Sequence, residues 1–159
     1  MSTTGTESVK DWLLELRAAV ADATLTQERL DTLRNRAESA RTASLSGLPH
    51  AAGETVNRVG VIVAQIDELT EENARLWKRV GELRRERETA IKQIHGHGWP
   101  EQRAVLRLRY IDLETWNDLT FALFGSKEDF TEREDAYLRR AYKIHGKALY
   151  ELAQIVPLE

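Results

Sequence analysis

Apolar residues recur along the first part of the chain at steps that alternate between four and three. From Trp12 they pass through Leu16, Ala19, Ala23, Thr26, Leu30, Leu33 and Ala37 to Ala40. That spacing holds one narrow stripe of a helix against a partner helix, the heptad signature of a coiled coil. Several stripe positions are alanine, so the partner is expected to lie close. Ser8 is placed to cap this helix, with Asp11 three residues on. Met1 to Thr6 are small and polar with no apolar anchor, which predicts a frayed start and assigns residues 1–7 to a disordered N-terminus.

A second series starts at Val59 and continues through Ile62, Ile66, Leu69, Asn73, Leu76, Val80, Leu83, Arg87 and Ala90 to Ile94. Between the two, residues 44–55 (SLSGLPHAAGET) carry two Gly and a Pro and predict a loop. A helix over 56–95 would be roughly 60 Å long at 1.5 Å per residue. Two such helices joined by a compact loop fold back on each other, so residues 8–95 are expected to form an antiparallel coiled-coil hairpin. Asn73 in the stripe reads as a register device. Leu13, Val20, Leu25 and Leu48 fall outside the stripe and predict a homo-oligomer built through the hairpin.

The pattern then changes. His95-Gly96-His97-Gly98-Trp99-Pro100 interrupts the helix, and residues 96–100 read as a hinge, with Pro100 suited to the first turn of a new helix. Within 101–159, Val105, Leu106, Leu108 and Ile111 predict a short helix ending near Asp112. Thr115 can cap a second helix through the residue at Asp118, with Trp116, Leu119, Ala122 and Leu123 facing inward and Gly125 ending it. Thr131 and Glu134 repeat the capping spacing before a last helix that runs to about Ile155, ahead of Pro157. The expected fold is all-α: a long antiparallel coiled-coil helical hairpin followed by a small helix-turn-helix domain.

Composition narrows the chemistry. The chain has 159 residues with only 3 Pro and 9 Gly, which suits helix, and no Cys, which excludes disulfides and thiolate metal sites. Neither a signal peptide nor a membrane-spanning run is read in the sequence, so a cytoplasmic protein with no membrane partner is expected. Net charge is -3, from 23 Lys plus Arg against 26 Asp plus Glu. A protein that coats phosphate backbone is usually basic overall, so any nucleic-acid contact must come from a local patch. Residues 78–92 hold six basic and three acidic side chains, a local +3 that reads first as a solvated helix face and second as auxiliary phosphate contact. His95 and His97 lack the Cys or carboxylates that would complete a metal site. With no glycine-rich phosphate loop and no nucleophile turn, neither catalysis nor a cofactor is expected.

The string RAVLRLRYIDLETW, residues 103–116, resembles the opening of the region-four helix-turn-helix of bacterial sigma factors. Together with LSGLPHAAGETVNRVG in the hairpin loop and KIHGKAL near the end, it resembles a family of small phage and prophage proteins. Those join an N-terminal helical hairpin to a sigma-region-four-like domain and are similar to phage late-gene transcription regulators. The resemblance implies sequence-specific binding of double-stranded DNA by the last helix, in a bacterial host cell.

On the last helix Leu138, Ala141, His145, Ala148 and Leu152 make one stripe, flanked by Tyr142 and Leu149. Arg139, Arg140, Lys143 and Lys147 lie toward the other side, and no acidic residue occurs between Asp135 and Glu151. Arg can grip guanine edges with two hydrogen bonds and Lys can hold phosphates, so the candidate DNA-binding residues are Arg133, Tyr137, Arg139, Arg140, Lys143 and Lys147. His145, among apolar neighbours, reads as a structural histidine.

One feature departs from the motif. The turn before a recognition helix usually has three or four residues. Here residues 126–135 intervene, with Glu128, Asp129, Glu132, Glu134 and Asp135 against Lys127 and Arg133. Residues 101–159 carry 9 basic and 11 acidic side chains, a balance of -2. That favours an alternative role in which the hairpin and the acidic insertion dock onto RNA polymerase or a DNA-packaging component.

Overall fold

The computed structural model describes residues 3–45 and 52–158, and every regular element among them is helical. In order they are α1 (Thr3–Leu45), α2 (Ala52–Ile91), α3 (Trp99–Leu106), α4 (Trp116–Phe124) and α5 (Glu134–Ile155). A single π-helical turn, Arg107–Ile111, prolongs α3. The chain is thus all-α, with α1 paired antiparallel to α2 and a small set of shorter helices after them. No described helix is long and apolar enough to cross a membrane.

Two expectations about the chain start are corrected. Helix begins at Thr3, so Ser8 lies inside it and does not cap it. Leu13 is core, not an exposed residue beside the stripe: it is 0% exposed, as Val9 is 1% exposed. The reason is tertiary. A Cβ on Gly5 would sit 3.9 Å from the Cβ of Ala153, so the first turns of α1 lie against the end of α5, a partner that local sequence does not reveal.

At the other end of α1, helix reaches Leu45 and resumes at Ala52, extending into both sides of the expected 44–55 break. The interior of that loop, 46–51, and with it Leu48, lies outside the described residues.

Contacts divide the chain into two compact units, 19–80 and 1–18 with 81–159. The cut differs from a boundary at 96–100, because the first turns of α1 and the last turns of α2 belong with α3, α4 and α5. The 96–100 segment is bridged: Arg103 donates from Nε to the Ile94 carbonyl at 2.8 Å, and its Nη2 lies 3.0 Å from His95 Nδ1. Gly98, at φ 79, occupies the left-handed conformation that ends this turn and caps α3, and Pro100 stands in the first turn of α3.

In the 19–80 unit the seam is narrow. Leu30 and Leu33 of α1 pack with Leu69 of α2, and Ile66 is half-buried beside them. Two helices cover each other along one stripe only, so Thr26, Ile62 and Leu76, although in register, remain half-buried. Asn73 is 9% exposed and its amide donates to Gln27 Oε1 at 2.6 Å, joining the two helices at one polar position.

In the larger unit, burial is deeper. Val105, Leu119, Phe124, Phe130, Ala141 and Ile144 form the centre of its core, with Leu108, Trp116, Leu123 and Tyr137 packed against it. Ala122, expected to face inward, is exposed, while Thr120 is buried and its hydroxyl donates to the Trp116 carbonyl at 2.7 Å. The inward positions of α4 are therefore 116, 119, 120, 123 and 124, one helical face with a polar member. Thr115 does cap α4, its side chain accepting from the Asp118 amide at 3.2 Å.

Candidate nucleic-acid interface

α5 is the most amphipathic of the described elements, and its two faces differ in chemistry. Ala141, Ile144, Ala148, Leu149 and Leu152 are buried. Arg139, Lys143 and Lys147, spaced by four, are exposed and make no ion pair or side-chain hydrogen bond among the described residues. Residues spaced by four share a helix face, so three cations stand along one edge of a rigid rod. Tyr142 and Tyr150 flank them, each 46% exposed. Such an edge can present guanidinium and ammonium donors to phosphate and to base edges, and aromatic rings to sugars.

The other three sequence-derived candidates are engaged with the fold. Arg140 donates to Glu101 Oε1 at 2.9 Å, with its guanidinium 5.0 Å from the centre of the Phe124 ring. Tyr137 is turned into the core: its ring stacks on Phe124 and Phe130, at 5.1 and 5.7 Å between centres, and its hydroxyl donates to Asp129 Oδ1 at 2.6 Å. That hydrogen bond holds the Asp129 carboxyl below its usual range and raises the Tyr137 phenol. Arg133 reaches Asp129 at 3.2 Å and serves as the residue before the first turn of α5. The structure therefore brings Arg139, Lys143 and Lys147 together on one free edge, sets Arg140 beside them in an ion pair, and places Tyr137 in the first turn of α5 and Arg133 just before that helix.

The expected capping role of Thr131 is not realised. Helix starts at Glu134, because residues 126–133 make a series of tight turns in which Arg133 N bonds to the carbonyls of Asp129 and Phe130. Phe130, 9% exposed, inserts into the core and anchors that series. The acidic insertion is thus an ordered connection, and Glu128, Glu132, Glu134 and Asp135 are exposed on it. Acids in the first turn of α5 suit the positive end of the helix dipole.

A cluster that sequence reasoning missed supports α5 from behind. Tyr110, on the π-helical turn, shares a hydrogen bond between its hydroxyl and His145 Nε2 at 2.8 Å, and the two rings stack with centres 5.7 Å apart. Trp116 meets the edge of His145 at 5.0 Å and lies 4.4 Å from Tyr142, while the Arg109 guanidinium sits 5.2 Å from the Trp116 ring. Burial pushes the Tyr110 phenol up to about 12. Burial, with the charges of Lys10 and Arg109, pushes His145 down to about 4. The histidine is therefore neutral at pH 7 and structural, as its apolar surroundings in the sequence imply. The π turn is what makes this possible: the Asp112 amide reaches back to the Arg107 carbonyl at 2.9 Å, an extra residue per turn that no hydrophobic pattern signals. Leu113 follows at φ 60, a left-handed conformation that costs a non-glycine residue about 1 kcal/mol or more. Arg109 donating to the Glu114 carbonyl at 2.8 Å helps to hold it.

No protein-family model, curated protein or solved structure matches this chain.

Proposed function

We propose that this protein is a non-enzymatic, phage-type DNA-binding transcriptional regulator, in which α5 enters a major groove and the hairpin mediates oligomerisation. The observation that carries the reading is the free cationic edge of α5, Arg139, Lys143 and Lys147, on a helix whose other face is locked into the core. A rigid element supports precise contacts better than a loop does, and a short helix, α4, precedes it as in helix-turn-helix readers, although residues 125–133 replace their three- or four-residue turn. The resemblance of residues 103–116 to sigma region four agrees with it. Phosphate contact would fall to Lys143 and Lys147, and base contact to Arg139. Arg140 joins them once it leaves Glu101.

The test is fluorescence anisotropy against labelled double-stranded fragments taken from around the protein's own gene, at two salt concentrations. Selective binding that weakens steeply with salt is expected. Changing Arg139, Lys143 and Lys147 together to Ala should abolish it while the helical circular-dichroism signal stays intact. Binding that survives the triple change would remove α5 as the reading element.

The exposed acids Glu128, Glu132, Glu134 and Asp135 favour a second reading, docking onto RNA polymerase or a DNA-packaging component. Changing these four to Gln should then abolish capture of purified RNA polymerase without altering DNA affinity.

A further inference from the structure

Within the larger unit two surface features have complementary shapes and charges. The first is a cleft of about 160 Å³ between the last turns of α2 and the start of the α3 region, floored by Ile91, Ala104 and Ile111. Lys92, Arg103 and Arg107 line it with one acid, Glu88, a lining balance of 3 minus 1, or +2, and the Asp112 carboxylate stands 3.7 Å from Arg107. Arg103 is fixed there by its bonds to Ile94 and His95. Lys92 and Arg107 are exposed. A cavity of about 150 Å³ with an apolar lining takes a benzene ring. A phosphate would instead want polar donors on the floor, and this floor is apolar.

The second feature is Phe121 on α4, a large apolar side chain that is 64% exposed. Its ring is held in place: it meets Phe130 edge-on at 5.8 Å and lies over Gly125, where a Cβ would come within 2.8 Å of it. Around it the chain is acidic. Residues 114–135 contain seven Asp or Glu and two Lys or Arg, a balance of -5. An exposed aromatic anchor on an acidic stretch of chain is what a cation-rimmed apolar cleft selects.

We infer that the cleft at Lys92, Arg103 and Arg107 receives Phe121 of a second copy of this chain. Knob and hole are different patches of one surface, so two copies either exchange knobs reciprocally and close as a pair or join head-to-tail and add further copies. Its small area makes it weak and concentration-dependent. It stands apart from the DNA-binding proposal, and it is separate from any pairing through the hairpin.

Sedimentation of the full chain from low to high micromolar concentration tests it. The wild type should grow progressively larger, with growth reduced at high salt. Phe121→Ala and Arg107→Glu, both at exposed positions, should each remove that growth while keeping the helical signal. Mixed together, the two variants should regain association that neither shows alone, because the first keeps its cleft and the second keeps its knob. Hairpin pairing is intact in both variants and cannot produce that restoration. Growth that persists in each variant alone, or a mixture that stays at the size of its components, would overturn the inference. So would an Arg107→Glu protein that grows normally and loses only DNA affinity, since the cleft would then be a phosphate contact.

Discussion

The Arg87 guanidinium donates to the carbonyl oxygen of Trp12 from Nη2 at 2.6 Å and from Nε at 3.0 Å, and lies 4.3 Å from the centre of the Trp12 ring. Arg87 is 0% exposed, in a stripe whose other members, Asn73 apart, are apolar. Its charge is met at 2.9 Å by Glu15 and at 3.1 Å by Glu86, whose carboxylates keep one side in water. A cation is tolerated at this depth because each face of the fork finds an acceptor or a ring.

Arg87→Ala should therefore be among the most destabilising single changes in the chain. It leaves a cavity and removes the donors that tie α1 to α2, for a loss of about 3 kcal/mol. Arg87→Met retains most of the volume and strands no buried acid, since Glu15 and Glu86 are largely solvated, so its loss should be about 1 kcal/mol. Urea unfolding of the two variants, compared at equal slope, measures the difference. Equal losses would mean that the lost donors, and not packing, set the value of this residue.

Asn73 carries the opposite trade. Its amide is used by Gln27, but its Oδ1 is buried with no hydrogen-bond partner among the described residues. Asn73→Leu should raise the melting temperature, by about 1 kcal/mol of stability, and loosen the register of the hairpin. Cysteine pairs introduced at in-register and one-heptad-shifted positions would report this: the variant should form both disulfides where the parent forms one.

The low pKa of His145 sets a pH dependence. The unfolded chain takes up a proton near pH 6.5, whereas the folded chain does so only near 4, so the unfolded state binds more protons between those values. Stability is therefore full above about pH 6.5 and falls as pH drops toward 4, by roughly 1–2 kcal/mol when discounted for the partial exposure of the ring. His145→Gln should reduce stability somewhat at pH 7 and flatten this part of the profile. A melting curve unchanged from pH 7 to 4.5 in the parent would contradict the assignment.

Glu101 restrains Arg140 through a pair in which both side chains are about half exposed, 46% and 52%. Pairs of that kind contribute about 0–1 kcal/mol, so Glu101→Gln should leave the melting temperature almost unchanged. On the DNA-binding reading it should tighten binding up to about fivefold by freeing Arg140 and removing a negative charge. Lys147→Ala should lower the slope of log affinity against log salt by about 0.9, the signature of one phosphate contact. Titrations at four salt concentrations separate these effects.

The heptad steps from Trp12 to Ala40 and from Val59 to Ile94 determined the two long helices and their pairing, because a stripe repeating every three and four residues can be buried only against another such stripe. Local signals also set the short helices: Pro100 at the start of α3, Thr115 with Asp118 at the start of α4, and Gly125 after it. The cationic edge of α5 was legible for the same reason, since Arg139, Lys143 and Lys147 are brought together by the helix alone. What the sequence left open depends on residues far apart in the chain. The burial of Val9 and Leu13, the inward turn of Tyr137 onto Asp129, the pairing of Arg140 with Glu101 and the Tyr110–His145 contact all need a partner supplied by another element. Tertiary structure decided these because side-chain burial and hydrogen bonding are fixed by which surfaces meet, and periodicity gives the face of a helix without naming what will cover it.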